Sequence, residues 1–273
     1  MTEHLPILQV IIPLMAAPIC LMLKRVQLVW LFALIASGLA FVVSILLLQQ
    51  VMTSGVISYE LGGWQAPWGI EYRIDKLNAF LLLIISGIST IVLVAAQTSI
   101  EKEIAKSKQV YFYILYLLSL TGMLGIVATG DAFNVFVFLE ISSLSAYALI
   151  ALGKNKQALW ASYQYLIMGT IGATFILIGI GLMYQMTGTL NMHDLSERLP
   201  EVAQTRTVFA AFAFVLPSLA APHAFRVPEL HGDRLFFAFD SGLVIASVIA
   251  IYTQFISHRL ISAIIFTFFI ITI

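Results

Sequence analysis

At 273 residues, 60% apolar and only 10% charged, the chain falls outside the range of soluble domains, which are about half apolar and about a quarter charged. Its 14 basic and 14 acidic residues cancel, so it lacks the basic surplus that nucleic-acid binding uses to neutralise phosphates. A single cysteine, Cys20, excludes an internal disulfide and a thiolate metal site; it lies in an apolar run and reads as a packing residue.

The N-terminus, MTEHLPILQVIIPLMAAPICLMLKR, has Glu3 before its apolar stretch and Lys24 and Arg25 after it. A cleavable signal carries its basic residues first, so this stretch reads as a permanent first span. Roughly 20 apolar residues cross a hydrocarbon core of about 30 Å. Runs of that kind cover 5–23, 27–50, 77–96, 110–129, 132–152, 161–186, 207–225 and 235–256. A ninth, 260–273, is short for a span and lacks a polar flank at its end. The pattern predicts an all-α polytopic membrane protein with about eight or nine transmembrane helices, not a soluble enzyme.

Lysine and arginine in short loops set orientation. Lys24 and Arg25 follow the first span, Lys102, Lys106 and Lys108 the third, and Lys154 and Lys156 the fifth. If every span crosses, these loops share one side, and the opposite loops hold Arg73, Lys76, Arg198 and Arg206. The bias places the N-terminus outside. The larger outside loops, 51–76 and 187–206, carry Tyr59, Trp64, Trp68 and Tyr72 with several acids, which suits a membrane interface. There is no Gly-rich phosphate loop; Gly169, Gly172, Gly179 and Gly181 lie inside an apolar run, where small residues let helices approach closely.

One residue does not belong in lipid. The fifth span reads DAFNVFVFLEISSLSAYALIAL, and Glu140 lies nine residues after Asp131. That is roughly 13 Å into the helix, near the midplane. An acid there costs several kcal/mol unless paired, wetted or protonated, and a reversible proton carrier needs that balance. Ser143 at i+3 and Tyr147 at i+7 share its face, Ser142 and Ser145 add hydroxyls, and Phe138, Leu139 and Ile141 are expected on the lipid side. The plainer alternative is that Glu140 ties two helices together by a hydrogen bond. Asp131, after Gly130 at the expected helix start, reads as a helix cap. His223, Glu229, His231 and Asp233 read as a short polar loop, because their spacing matches no compact ligand pair. No metal site is expected.

Three stretches carry a resemblance. YELGGWQAPWGIEYRID (59–75) resembles the loop before the third helix of the D subunit of Mrp-type cation/proton antiporters. TGDAFNVFVFLEISSLSAYALIALG (129–153) resembles that family's glutamate-bearing fifth helix, and ASYQYLIMGTIGATFILIGIGLMYQMTGTLNM (161–192) its sixth helix and exit loop. The family is similar to the antiporter-like membrane subunits of respiratory complex I and of membrane-bound hydrogenases. The resemblance covers roughly residues 1–214. It implies a part of a fold of about fourteen helices with two inverted five-helix repeats, working inside a multi-subunit complex. It makes Glu140 the proton-binding residue; Ser143 and Tyr147, which share its face by spacing, are expected to be its supporting polar face.

The chain also departs from the family. The resemblance implies a lysine on the seventh helix and a following motif like FPLHxWLP. Here the region reads FVLPSLAAPHAFRVPELHGDR, no lysine follows Lys156, and Arg206 and Arg226 stand only at the ends of the seventh span. The expected organisation is therefore 1–130 as N-terminal helices 1–4, 131–214 as the start of the antiporter-like core with helices 5–6, and 215–273 as a diverged, frame-shifted or truncated segment. The resemblance implies a proton-translocating membrane subunit of a multi-subunit Na+/H+ antiporter in a bacterial inner membrane. Its partners would be other membrane subunits, protons, Na+ or another monovalent cation, and the bilayer. The alternatives are a proton-pumping membrane subunit of a NADH-quinone oxidoreductase or membrane-bound hydrogenase, and an inactive remnant. No flavin, haem or cluster motif occurs, so no cofactor is expected, and the chain would be at most a non-catalytic subunit.

Overall fold

A computed structural model describes residues 2–224 apart from Lys24, Asn155, Ala203 and Gln204. The apolar runs 235–256 and 260–273 lie outside the described residues, as do Arg226, Glu229, His231 and Asp233. Every apolar run before them is a helix: α1 Leu5–Met22, α2 Val26–Ser54, α3 Lys76–Glu103, α4 Gln109–Ala128, α5 Ala132–Ala151, α6 Lys156–Thr187 and α8 Thr205–Ala224, with the short α7 Met192–Arg198 between the last two. Among the described residues, α1 to α6 are long and apolar enough to cross a membrane. The chain is a multi-pass, predominantly helical membrane protein.

Local chemistry fixes the helix ends. The Asp75 carboxylate accepts from the N–H groups of Leu77 and Asn78 and starts α3. Gly55 ends α2 at φ 86°, a left-handed conformation that glycine adopts without a Cβ clash, and its N–H returns to Val51 O at 3.0 Å. The segment between α2 and α3, which reads as a loop in the sequence, contains two short strands. It folds as an antiparallel ribbon of β1 (Ile57–Glu60) and β2 (Glu71–Ile74), with Ile57 opposite Ile74 and Glu60 opposite Glu71. Trp64 and Trp68 stand exposed on its connecting loop.

The packing centres on α4, whose residues are all buried from Ser119 to Ala128. Helices α1, α3 and α5 pack around it, α2 packs on α1 and α3, and α6 packs on α5 and α8. Apolar residues drive little helix association in lipid, so hydroxyls and close approach hold the bundle. Gln9 Nε2 donates to Ser44 Oγ at 2.7 Å, Ser44 and Ser86 Oγ lie 2.9 Å apart, and Ser89 Oγ lies 2.9 Å from the Tyr116 hydroxyl. The connections are stitched at each end of the bundle by single β-bridges. Ile104 pairs with Gly153 at one end; Tyr72 pairs with Thr129 and Asp131 with Asn191 at the other. The lysine-bearing connections 104–108 and 152–155 therefore share one end.

Candidate functional site

The site is built on α5, which carries Glu140. The Asp131 carboxylate accepts from Asn134 N at 2.8 Å and caps the helix, in keeping with its place after Gly130. Ala132 N donates to Leu190 O at 2.8 Å, Gly130 N to Glu71 O at 2.8 Å, and Met192 N to Gly130 O at 2.9 Å. The start of α5 is thus held between β2 and the exit of α6.

Two buried side chains that the sequence alone does not single out complete this clasp. The Glu71 carboxylate accepts from Ser58 Oγ at 2.6 Å and from Asn191 Nδ2 at 2.8 Å, with Arg73 Nη1 at 4.0 Å. Asn191 Oδ1 in turn accepts from the N–H groups of His193 and Asp194, capping α7. An Asn immediately before a helical turn rich in charge is a cap signal, and could have marked Asn191. Nothing in the sequence pairs Glu71 with a residue 120 positions away. Burial pushes the Asp131 carboxyl above its ordinary range, against the opposing pull of the Asn134 and Phe133 backbone donors. Burial likewise pushes the Tyr72 phenol up to about 12, partly offset by a hydrogen bond with the Asn134 side chain, so it stays neutral.

Further along α5, one face is consumed by packing. Phe138, Ser142, Ser145 and Leu149 are buried. Gly122 of α4 lies against the Phe138 carbonyl and the Ser142 backbone, and Gly125 against the Phe138 ring. This corrects two expectations. Phe138 is core rather than lipid-facing, and Leu139 and Ile141 are partly buried against that core. Ser142 and Ser145 do not extend the polar stripe; Ser145 Oγ is turned back onto Ile141 O at 2.7 Å. The reason is angular: Phe138 and Ser142 stand about 160° round the helix from Glu140 at 100° per residue, and that side belongs to α4.

Glu140 is half-buried, on the face turned away from α4, between exposed Phe133 and Leu144. Among the described residues, none hydrogen-bonds or ion-pairs with its carboxylate. Ser143 and Tyr147 share its face by helical spacing, as expected, and the structure gives them different surroundings. Ser143 is half-buried, whereas Tyr147 is buried against α6. Its ring meets Tyr165 edge-on at 4.7 Å, Gly169 lies against its hydroxyl, and Ser162 Oγ donates to its carbonyl at 2.7 Å. The close-packing expectation for the α6 glycines holds at Gly169 against Tyr147 and at Gly179 against Ala211 and Val215 of α8, but fails at Gly181, which faces open space. Of the would-be polar cluster near the C-terminus, His223 falls in the last turn of α8 and the rest lie outside the described residues.

With this geometry in place, likeness to known proteins becomes informative. Residues 129–227 match the family described as NADH:quinone oxidoreductase/Mrp antiporter, TM. Over these residues the chain is similar to that family. The matched segment begins at the bridge-forming Thr129 and contains α5 with Glu140, α6, α7 and α8. Over 266 residues, 95% of this chain and 52% of the relative, it is 38% identical to the N subunit of the NADH-quinone oxidoreductase of Desulforudis audaxviator. Over 200 residues, 73% of this chain and 40% of the relative, it is 36% identical to the D subunit of the Na(+)/H(+) antiporter of Bacillus subtilis. The membrane-bound sulfane sulfur reductase, an archaeal respiratory membrane complex, contains a chain that superposes with a TM-score of 0.78 at 29% identity, over 96% of this chain and 55% of that one. The Mrp complex from Dietzia sp. shares the fold at a TM-score of 0.71 and 21% identity, over 93% of this chain and 48% of that one. The chain spans about half the length of the curated relatives it matches.

Proposed function

We propose that this chain is a proton-translocating membrane subunit of a multi-subunit Na+/H+ antiporter, and that Glu140 binds and releases the proton. The observation that carries the proposal is the placement of Glu140: about 13 Å from the capped start of α5, half-buried, on the face left over after α4 has taken the other, with no partner among the described residues. An acid kept at that depth without a fixed partner is stable when protonated and costly when charged. Water, a counter-charge or a cation arriving from one side shifts that balance, and departure reverses it. Ser143 and Tyr147 would line the same face. Likeness to the antiporter D subunit supports Na+ as the coupled ion. The bacterial inner membrane, with the N-terminus outside, is the setting that the lysine bias supports.

The second reading, a proton-conducting membrane subunit of a redox complex, is favoured by the likeness to the NADH-quinone oxidoreductase N subunit and to the sulfane sulfur reductase complex. Everted vesicles from cells lacking other antiporters, expressing the chain with its partner subunits, separate the two. Sodium added to vesicles with an acid-loaded lumen is expected to drive alkalinisation that disappears in Glu140→Gln, with the variant still inserted. Retained flux in that variant removes Glu140 from the mechanism. No sodium response, with pumping tied instead to a reductase reaction, selects the redox assembly.

A further inference from the structure

The end of the bundle opposite the α5 cap carries a charged patch that the proposed transport does not use. The bridge between Ile104 and Gly153 brings two connections 49 residues apart in sequence onto one site. Lys154 Nζ donates to the Lys102 carbonyl at 2.6 Å and reinforces the junction. Lys102, Lys106, Lys108, Lys154 and Lys156 are all exposed there. Glu101 and Glu103 are the acids in these two segments, which leaves a surplus of positive charge. Helices α4 and α6 both begin at this patch with no acid in their first turn, so their positive dipole ends add to the field.

The residues just inside the helices show what kind of partner fits. On α6, Lys156, Trp160 and Tyr163 follow at i, i+4 and i+7 and share a face. Trp160 is 61% and Tyr163 54% exposed, and their rings stack at a centroid distance of 5.8 Å. Leu159 beside them is 58% exposed, and Tyr111 stands exposed in the first turn of α4. Ammonium groups at the helix ends with aromatic and aliphatic side chains one turn deeper match a phospholipid: phosphate in the headgroup layer, glycerol and upper acyl chain below it. A soluble anion would have no use for the exposed rings, and an acidic protein surface would not reach below the headgroup plane.

We infer that the Lys102/Lys154/Lys156 junction, with the Trp160–Tyr163 stripe beneath it, is a binding site for the headgroup of an anionic phospholipid. The hydrogen bond from Lys154 to the Lys102 carbonyl uses one of three ammonium protons and leaves the others for phosphate oxygens. The site is independent of which ion the chain transports.

The test is native mass spectrometry of the full chain titrated in detergent with phosphatidylglycerol and, separately, phosphatidylcholine. The wild type is expected to retain phosphatidylglycerol at least about tenfold better, Lys102→Gln/Lys154→Gln/Lys156→Gln to lose that preference, and the corresponding arginine triple variant to keep it; tenfold corresponds to about 1.4 kcal/mol. A second readout needs no lysine change. In a chain with Trp30, Trp64 and Trp68 replaced by phenylalanine, brominated phosphatidylglycerol should quench Trp160 more than brominated phosphatidylcholine does. Equal retention of both lipids, unchanged preference in the glutamine variant, or release of a bound acidic subunit by that variant with lipid retention intact would each overturn the proposal.

Discussion

Asp131 is where two requirements on a single residue oppose each other. As a helix cap its carboxylate accepts from Asn134 N at 2.8 Å, and the helix dipole favours negative charge there. As a buried group its charged form is penalised, and burial holds its carboxyl above the ordinary range. A raised carboxyl pKa means the folded state holds a proton that the unfolded state has already released, so this residue's contribution falls as pH rises through the folded value. Asp131→Asn keeps the acceptor and removes the charge. It is expected to leave stability at neutral pH unchanged or slightly higher, with any advantage over the wild type vanishing as pH falls below the folded pKa of Asp131. Asp131→Ala loses the cap at about 1 kcal/mol. Thermal unfolding of the three chains in detergent, taken across pH, checks this; an Asn variant as unstable as the Ala variant would show that the charge itself is needed. The cap is legible in the sequence because a Gly-Asp pair before an apolar run has a local signature. Its neighbour Glu71 is not, since its partners Ser58 and Asn191 come from two separate connections.

At the scale of elements, what can be read is whatever depends on runs of residues: seven apolar stretches appear as α1 to α6 and α8, with α3 running on to Glu103 and α6 starting early at Lys156. What cannot be read is direction around the helix axis. In a membrane span nearly every position is apolar, so the amphipathic pattern that orients a soluble helix is weak, and spacing alone turns Phe138 toward lipid when it belongs to α4. The glycines of α4 are the better guide. A Cβ on Gly122 would lie 2.6 Å from Ser142 N and 2.7 Å from Phe138 O, both backbone atoms that cannot rotate away. Gly122→Ala must therefore push α5 off α4, at about 1–3 kcal/mol. Gly181 on α6 has nothing within 4 Å of the same position, and alanine there should be neutral or stabilising by up to about 1 kcal/mol through helix propensity. The pair makes a controlled comparison in a thermal-shift measurement. Equal responses would mean that the α4–α5 approach is softer than its geometry implies.

For the whole molecule, the two stitched ends turn sidedness into a single choice between two orientations. The bridges Ile104–Gly153 at one end and Tyr72–Thr129 and Asp131–Asn191 at the other sort the connections without reference to charge, and the lysine-bearing connections 104–108 and 152–155 fall together. The orientation proposed from the positive-inside rule would face that end toward the cytoplasm and put the Glu71–Asp131 clasp and the exposed Trp64 and Trp68 on the outer side. Only α3 separates the β1–β2 loop from the 104–108 turn, so two labels suffice. In a Cys20→Ala background, with the buried native thiol gone, a cysteine at exposed Gln65 should react with a membrane-impermeant maleimide in intact cells, and one at exposed Ser107 only after the membrane is opened or everted. The reverse pattern would turn the chain over and place the Asp131 end of α5 inside, so that a proton reaching Glu140 past the clasp would come from the cytoplasm. Identical labelling at both positions would mean that α3 does not cross, and the alternation that sets the 104–108 and 152–155 connections opposite the β1–β2 loop would fail with it.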